Sequence, residues 1–175
     1  MSRNGREAVL FTEADIARRV AAIAREIATR PIRPDIAVPI LAGAFVFAAD
    51  LLRALARENL NLDTEFIWLR SYGGGQTPNE VTILKAPGEI VRGRTVLLID
   101  GVLDRGATMA RAGKLLDDAG AAVVISAVAV VKSCSMPLFM ADYALFNAGA
   151  EFLFGYGMDN AGRGRGLPDI RIAKK

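Results

Sequence analysis

The chain has 175 residues, enough for one domain with its own core and short for two. It is 52% hydrophobic and 23% charged with a mean hydropathy of +0.28, which excludes intrinsic disorder over most of its length. Its 22 basic and 19 acidic residues leave a net charge of +3, mild and dispersed, which suits a small anionic ligand and speaks against nucleic acid.

The N-terminal run Ala8 to Phe11, bracketed by Arg3, Arg6, Glu7 and Glu13, is too short for a secretory core, so a cytoplasmic address is expected. Thr12 with Asp15 three residues on reads as a capping box, and Ile16, Val20, Ile23 and Ile27 then recur at helical spacing, predicting a helix from about Glu13 to Ala28. Ile36 to Leu41, after Pro31 and Pro34 and before Gly43, reads as a buried parallel strand, followed by a helix from about Phe45 to Arg57. Neither the apolar stretch Ile36 to Ala49 nor the one at Ala121 to Val131 reaches the length of about 18 residues that a membrane span requires, and no membrane partner is expected. Glu65 to Arg70 is β-rich, and Tyr72 to Glu80, which opens on three glycines, reads as an exposed flexible loop. Val81 to Lys85 predicts a return strand. Trp68 and the methionines are expected in packing.

Thr95 to Asp100 is the strongest buried-strand pattern in the chain. It gives way to the loop Asp100 to Thr108 and then to a helix reaching about Ala119, after which Val123 to Val131 is again all but continuously apolar. A strand, loop, helix and strand in that order predict a parallel sheet with a right-handed crossover. Short β-like segments follow at Tyr143 to Phe146, Phe152 to Phe154 and Ile170 to Ile172. The single cysteine, Cys134, has no disulfide or zinc partner and is expected to be inert. Arg163-Gly164-Arg165-Gly166 is too short for an arginine-glycine repeat. The expected fold is α/β, a mostly parallel sheet of about five strands flanked by helices, with a single domain spanning residues 1 to 175.

No histidine is present, so acid-base work falls to Asp, Glu, Lys or Tyr. Ligands of a parallel sheet gather at the carboxyl ends of its strands, where the next helix offers free N–H groups and its positive dipole end. The loop Asp100 to Thr108 sits at such an end. Gly101 and Gly106 let a phosphate approach the backbone, Thr108 adds a hydroxyl, and Asp100 and Asp104 frame the loop. It has neither the Gly-Lys-Ser/Thr of a Walker loop nor Gly-x-Gly-x-x-Gly. Carboxylates beside a phosphate cradle suit a sugar phosphate.

The run Val96 to Thr108 resembles the phosphoribosyl-diphosphate loop of the type I phosphoribosyltransferases. Four further segments resemble the 6-oxopurine, or hypoxanthine-guanine, branch: Leu41 to Leu52 its diphosphate turn and helix, Leu69 to Tyr72 the start of its lid, Val130 to Ser133 its purine-reading strand end, and Phe152 to Asp159 with Arg165 its base-stacking hood. The resemblance spans about Phe11 to Ile172. It implies magnesium-dependent transfer of ribose 5-phosphate from phosphoribosyl diphosphate to N9 of hypoxanthine or guanine, releasing diphosphate, with a lid at about 71 to 80 and a hood at about 150 to 172, to which the N-terminus is a candidate contributor. It also implies that Asp100 holds ribose hydroxyls or magnesium, Asp104 accepts the purine proton, and Asp104, Arg105, Gly106, Ala107 and Thr108 cradle the 5′-phosphate. Lys132 would meet the 6-oxo group, Phe152 stack on the base and the Leu153 backbone read its edge. Asp159 would bind a second magnesium and Arg165 the diphosphate, with backbone amides at Ala42 and Gly43, and Ser71 and Tyr72 would close over the site. A homo-oligomer, dimer or tetramer, is implied as well.

Three positions depart from the family pattern. Asp100-Gly101 stands for two adjacent acids, Arg105 for a small hydroxyl residue, and Ala42 for a lysine. The Arg105 guanidinium would either meet the phosphate or pair with Asp100 or Asp104 and fill the pocket. The same fold with xanthine or a pyrimidine as acceptor is one alternative, and a non-catalytic or weakly active nucleotide-binding regulatory protein is the other.

Overall fold

A computed structural model describes residues 8–71, 81–133 and 137–173. The first strand, β1 (Ala8–Phe11), leads into α1 (Glu13–Thr29), which starts where the capping box predicts: the Thr12 hydroxyl accepts the Asp15 N–H at 3.2 Å and the Asp15 carboxylate accepts the Thr12 N–H. The hydrogen bonds from Thr12, aided by Arg18, hold the Asp15 carboxyl below its ordinary range. The helix buries Ile16, Val20, Ile23, Ala24 and Ile27. Next come β2 (Ile36–Leu41), α2 (Phe45–Arg57), the two-residue β3 (Asp63–Thr64), β4 (Ile67–Ser71) and β5 (Val81–Lys85). The central unit is β6 (Thr95–Leu103), α3 (Ala107–Asp118) and β7 (Val123–Lys132), followed by β8 (Tyr143–Ala148), β9 (Leu153–Phe154) and β10 (Ile170–Ile172).

The main sheet has the order β5-β4-β2-β6-β7-β8, with β3 beside the start of β2. Its five long neighbours β4, β2, β6, β7 and β8 are parallel, and β5 closes one edge antiparallel. The parallel core therefore matches the expected five strands, with β3 and β5 added at the edge. Pro39 lies in the middle of β2, a poor place for a residue with no N–H. The fold accommodates it by interrupting one ladder: β2 pairs with β3 at Ile36 and Ala37 and with β4 only from Ile40, so the break falls opposite Val38 and Pro39.

The period-2 alternation of β6 divides the core. Leu97 and Ile99 pack toward α1 and α2, while Val96 and Leu98 pack with Met109, Ala112 and Leu116 of α3 on the opposite face. Strands covered on both faces have to be apolar along their whole length, which is why β2, β6 and β7 read as continuous runs. A second, three-stranded antiparallel sheet joins β1, β10 and β9, with Ala8 opposite Ile172 and Arg171 opposite Phe154. Phe11 stacks on Phe146 of β8 at 3.9 Å between ring centres, tying the small sheet to the edge of the large one. No described helix is long and apolar enough to cross a membrane.

Candidate active site

The carboxyl ends of β2, β4 and β6 and the small sheet enclose a cleft of about 990 Å³. Its floor is Asp100, Val102 and Leu103 with the loop Asp104 to Gly106 and the first turn of α3, and its walls are Leu41 to Gly43 on one side and Phe152, Leu153, Met158 and Asp159 on the other.

The sequence pattern ends the strand at Asp100, but β6 continues to Leu103. Val102 and Leu103 go on pairing with Val130 and Val131 of the equally long β7, and Asp100 itself lies opposite Val128 inside the ladder. Its carboxyl group is consequently buried, and the N–H of Gly101 donates to it at 2.7 Å. Burial pushes the Asp100 carboxyl up from the ordinary 3.8 to about 7, against the partial relief of that one hydrogen bond.

Gly101, where the family pattern has a second acid, has a steric explanation. A Cβ there would lie 2.7 Å from the Gly43 carbonyl oxygen and 3.1 Å from its carbon, so the turn after β2 rests directly on the glycine backbone. Gly106 is held at φ +88°, and a Cβ on it would meet Phe139 at 2.8 Å. No side chain caps α3, whose first turn, Ala107, Thr108 and Met109, lines the cleft; its N–H groups and positive dipole end are available to an anion. The segment after β7 braces this loop, since the Leu138 N–H donates to the Arg105 carbonyl at 2.8 Å.

Asp104 is exposed, and Lys132, reaching across from the end of β7, contacts it at 3.2 Å. Two residues 28 apart in sequence are thus brought together as an ion pair. Arg105 is exposed, lines the cleft and pairs with neither Asp100 nor Asp104. Asp159 and Arg165 form an ion pair at 2.6 Å; the Gly162 N–H donates to the same carboxylate, and Arg165 donates to the Gly157 carbonyl. Phe152 is 54% exposed and lines the cleft, whereas the Leu153 side chain is buried. Ala42 and Gly43 lie at the turn. Ser71 ends β4, but its side chain, Tyr72 and the rest of the expected lid lie outside the described residues, as does Cys134.

Trp68 corrects an expectation. It lines the cleft and is 43% exposed, because Ile67 and Leu69 take the buried face of β4 and leave Trp68 and Arg70 on the other. Met140, 82% exposed, is likewise no packing residue. Arg70, Met158 and Ala161 also line the cleft; Arg70 and Met158 fall inside the lid-start and hood segments, but no role was expected of them, and Ala161 lies outside every motif. For Arg70, the signal was its place in an alternating strand that ends at the ligand side of the sheet.

A family model for the phosphoribosyl transferase domain matches residues 10–160. The hypoxanthine-guanine phosphoribosyltransferase of Aquifex aeolicus is 35% identical over 170 residues, covering 95% of this chain and 94% of its own length. The chain belongs to the phosphoribosyltransferase family. The hypoxanthine phosphoribosyltransferase of Escherichia coli K12 is 31% identical, with 93% of this chain and 92% of that one aligned. Among solved structures, a hypoxanthine phosphoribosyl transferase from Trypanosoma cruzi superposes with a TM-score of 0.88 at 30% identity, covering 99% of this chain and 95% of that one. A second, from the same organism and holding the product IMP, gives 0.85 at 29% identity, covering 99% and 97%. These likenesses assign the type I fold and the 6-oxopurine branch, and make the protein a phosphoribosyltransferase.

Proposed function

We propose that the chain transfers ribose 5-phosphate from phosphoribosyl diphosphate to N9 of hypoxanthine or guanine and releases diphosphate, as a cytoplasmic purine-salvage enzyme. The observation that carries this reading is the uncapped start of α3 beside the Asp104–Lys132 pair, with buried Asp100 between them and the turn at Gly43. A 5′-phosphate fits the N–H groups of residues 106 to 108, with Arg105, unpaired among the described residues, able to reach it.

In the free protein Lys132 neutralises Asp104. A purine whose 6-oxo group takes the lysine would release Asp104 to accept the ring proton, with Phe152 stacking on the base and the Leu153 backbone reading its edge. Asp100, with one hydrogen bond to its name, has oxygen capacity left for ribose hydroxyls. The carboxylates fit magnesium in the manner of that ion, which takes one or two carboxylates plus substrate oxygens. No cluster of three or more ligating side chains occurs among the described residues, so substrate and water would complete the sphere. Asp100 would hold one magnesium and Asp159 a second, which would neutralise charge gathering on the diphosphate as the C1 bond loosens. Arg165, already beside Asp159, would face the same group, and Ser71 and Tyr72 would exclude water. A homo-oligomer, dimer or tetramer, belongs to this reading; the Trypanosoma cruzi work concerns that enzyme's own oligomeric state.

The test is diphosphate release from phosphoribosyl diphosphate and magnesium with hypoxanthine, guanine, xanthine or uracil in turn. Release that depends on hypoxanthine or guanine supports the proposal; preference for xanthine or uracil reassigns the acceptor; binding of a purine nucleotide without any release refutes catalysis.

A further inference from the structure

The cations that line or reach the cleft differ in whether they are already engaged. Arg165 is held by Asp159 and the Gly157 carbonyl, and Lys132 by Asp104. Arg105 stands at the phosphate loop, its own carbonyl fixed by Leu138. Arg70 is the remaining cation, exposed, lining the cleft and without a carboxylate partner among the described residues.

Its position follows from strand register. β4 runs parallel to β2 with Ile67 beside Ile40 and Trp68 beside Leu41. The pairing stops at Leu41 and Trp68; two residues beyond it on each chain come Gly43 of the turn and Arg70, and both line the cleft. Ile67 and Leu69 are buried while Trp68 and Arg70 are exposed, and Trp68 and Arg70 line the cleft together with the edge of Leu69. The turn itself brings no charge: Ala42 is apolar, and the Gly43 N–H has no backbone acceptor among the described residues. A free backbone donor and a guanidinium with no ion-pair partner among the described residues, both lining one cleft, are groups suited to a phosphoryl oxygen.

We infer that Arg70 is a further cation, besides Arg165, that holds the diphosphate of the donor at the Gly43 turn, and holds it more firmly as it leaves. This rests on the proposed transfer reaction. In that reaction the electron pair of the C1–O bond goes to the diphosphate, whose charge rises, so a fixed guanidinium interacts better with the departing group than with the bound donor. Arg70 thereby divides the anion work with Arg105, one serving the diphosphate end and the other the 5′-phosphate end.

The experiment measures affinity for inorganic diphosphate with magnesium by calorimetry, and the KM values for phosphoribosyl diphosphate and for the base, in the wild type, Arg70→Ala, Arg70→Lys and the double variant Ala42→Lys/Arg70→Ala. Arg33→Ala, at the opposite end of the sheet, controls for net charge. Arg70→Ala is expected to weaken diphosphate binding and raise the donor KM by about tenfold or more, with the base KM and the melting temperature unchanged. Arg70→Lys should retain part of the affinity, and a lysine placed on the turn should recover at least threefold. Diphosphate affinity within twofold of wild type in Arg70→Ala, an equal loss in Arg33→Ala, or a wild type that binds no diphosphate would overturn the inference. A wild type that binds diphosphate but turns over no base would defeat the transfer reading alone, and the binding arm would still decide Arg70.

Discussion

One wall of the cleft is the buried sheet continued; the other is a small sheet, seated on the core by apolar residues, whose cleft-facing turns are held by polar contacts. Asp100 and the loop after it are positioned by β6, which pairs with β7 as far as Leu103 and is apolar on both faces, and the loop is braced from behind by Leu138 and Phe139. Across the cleft, Asp159 and Arg165 sit on turns with left-handed residues at Tyr156, Gly157, Ala161 and Gly164, and hold each other. That wall is anchored to α2 by the buried Tyr156, whose hydroxyl donates to Asp50 at 2.8 Å. Burial, with the Asp50 carboxylate adding to it, drives the Tyr156 hydroxyl well above its ordinary range and keeps it a donor. The difference teaches where adjustment is possible. The sheet side presents fixed backbone groups with one ion pair, Asp104–Lys132, at the tip of its loop, and the small-sheet side presents the Asp159–Arg165 pair on its turns; either pair can exchange partners when a charged substrate enters.

The largest effect expected from breaking this arrangement is at Asp104, the most exposed acid described in the cleft. Asp104→Asn keeps the shape of the Lys132 contact and removes the proposed proton acceptor, and kcat should fall by about 10² to 10⁴ with little change in the donor KM. Steady-state rates in the two proteins check this.

On the fixed wall, Gly106→Ala should cost about 1 to 3 kcal/mol in urea unfolding, since its Cβ would meet Phe139 at 2.8 Å and φ is +88°. A cost within 0.5 kcal/mol would show that the brace is soft and that the two walls do not differ in the way described.

Asp100 gives the fixed wall a pH signature. Its folded pKa, about 7, lies above the unfolded value, so the native state holds a proton that the unfolded state has already lost between pH 4 and 7. Its contribution to stability is therefore complete below about pH 4 and declines as pH rises through 7. Melting temperatures of wild type and Asp100→Asn between pH 4 and 8 should converge at the acid end, and the wild type alone should fall away on the way to neutrality. The smallest effect is expected at the anchor of the other wall: Tyr156→Phe loses one hydrogen bond, about 1 kcal/mol, measurable as a shifted urea midpoint.

The elements governed by local pattern were legible in the sequence. The capping box at Thr12, the apolar runs of β2, β6 and β7 and the helix spacing of α1 all lie where the pattern puts them, because burial on both faces and helix capping are written in adjacent residues. What escaped depends on pairing at a distance. That β6 continues past Asp100 follows from the length of β7, and that β1 joins β10 joins the two ends of the chain. The Asp104–Lys132 pair spans two strand ends, and no motif names it. Trp68 was misjudged because a tryptophan in a β-rich run suggests core, while its neighbours Ile67 and Leu69 had already claimed the buried face. Gly101 was visible as a missing acid, but its cause, the Gly43 carbonyl lying where a side chain would begin, is a matter of tertiary contact.

The most direct test is to isolate the product formed from hypoxanthine, phosphoribosyl diphosphate and magnesium and to identify its glycosidic bond by NMR. The account predicts a nucleotide joined through N9, formed at least 100-fold more slowly by Asp104→Asn. Unconsumed donor, or equal formation by the variant, would contradict it.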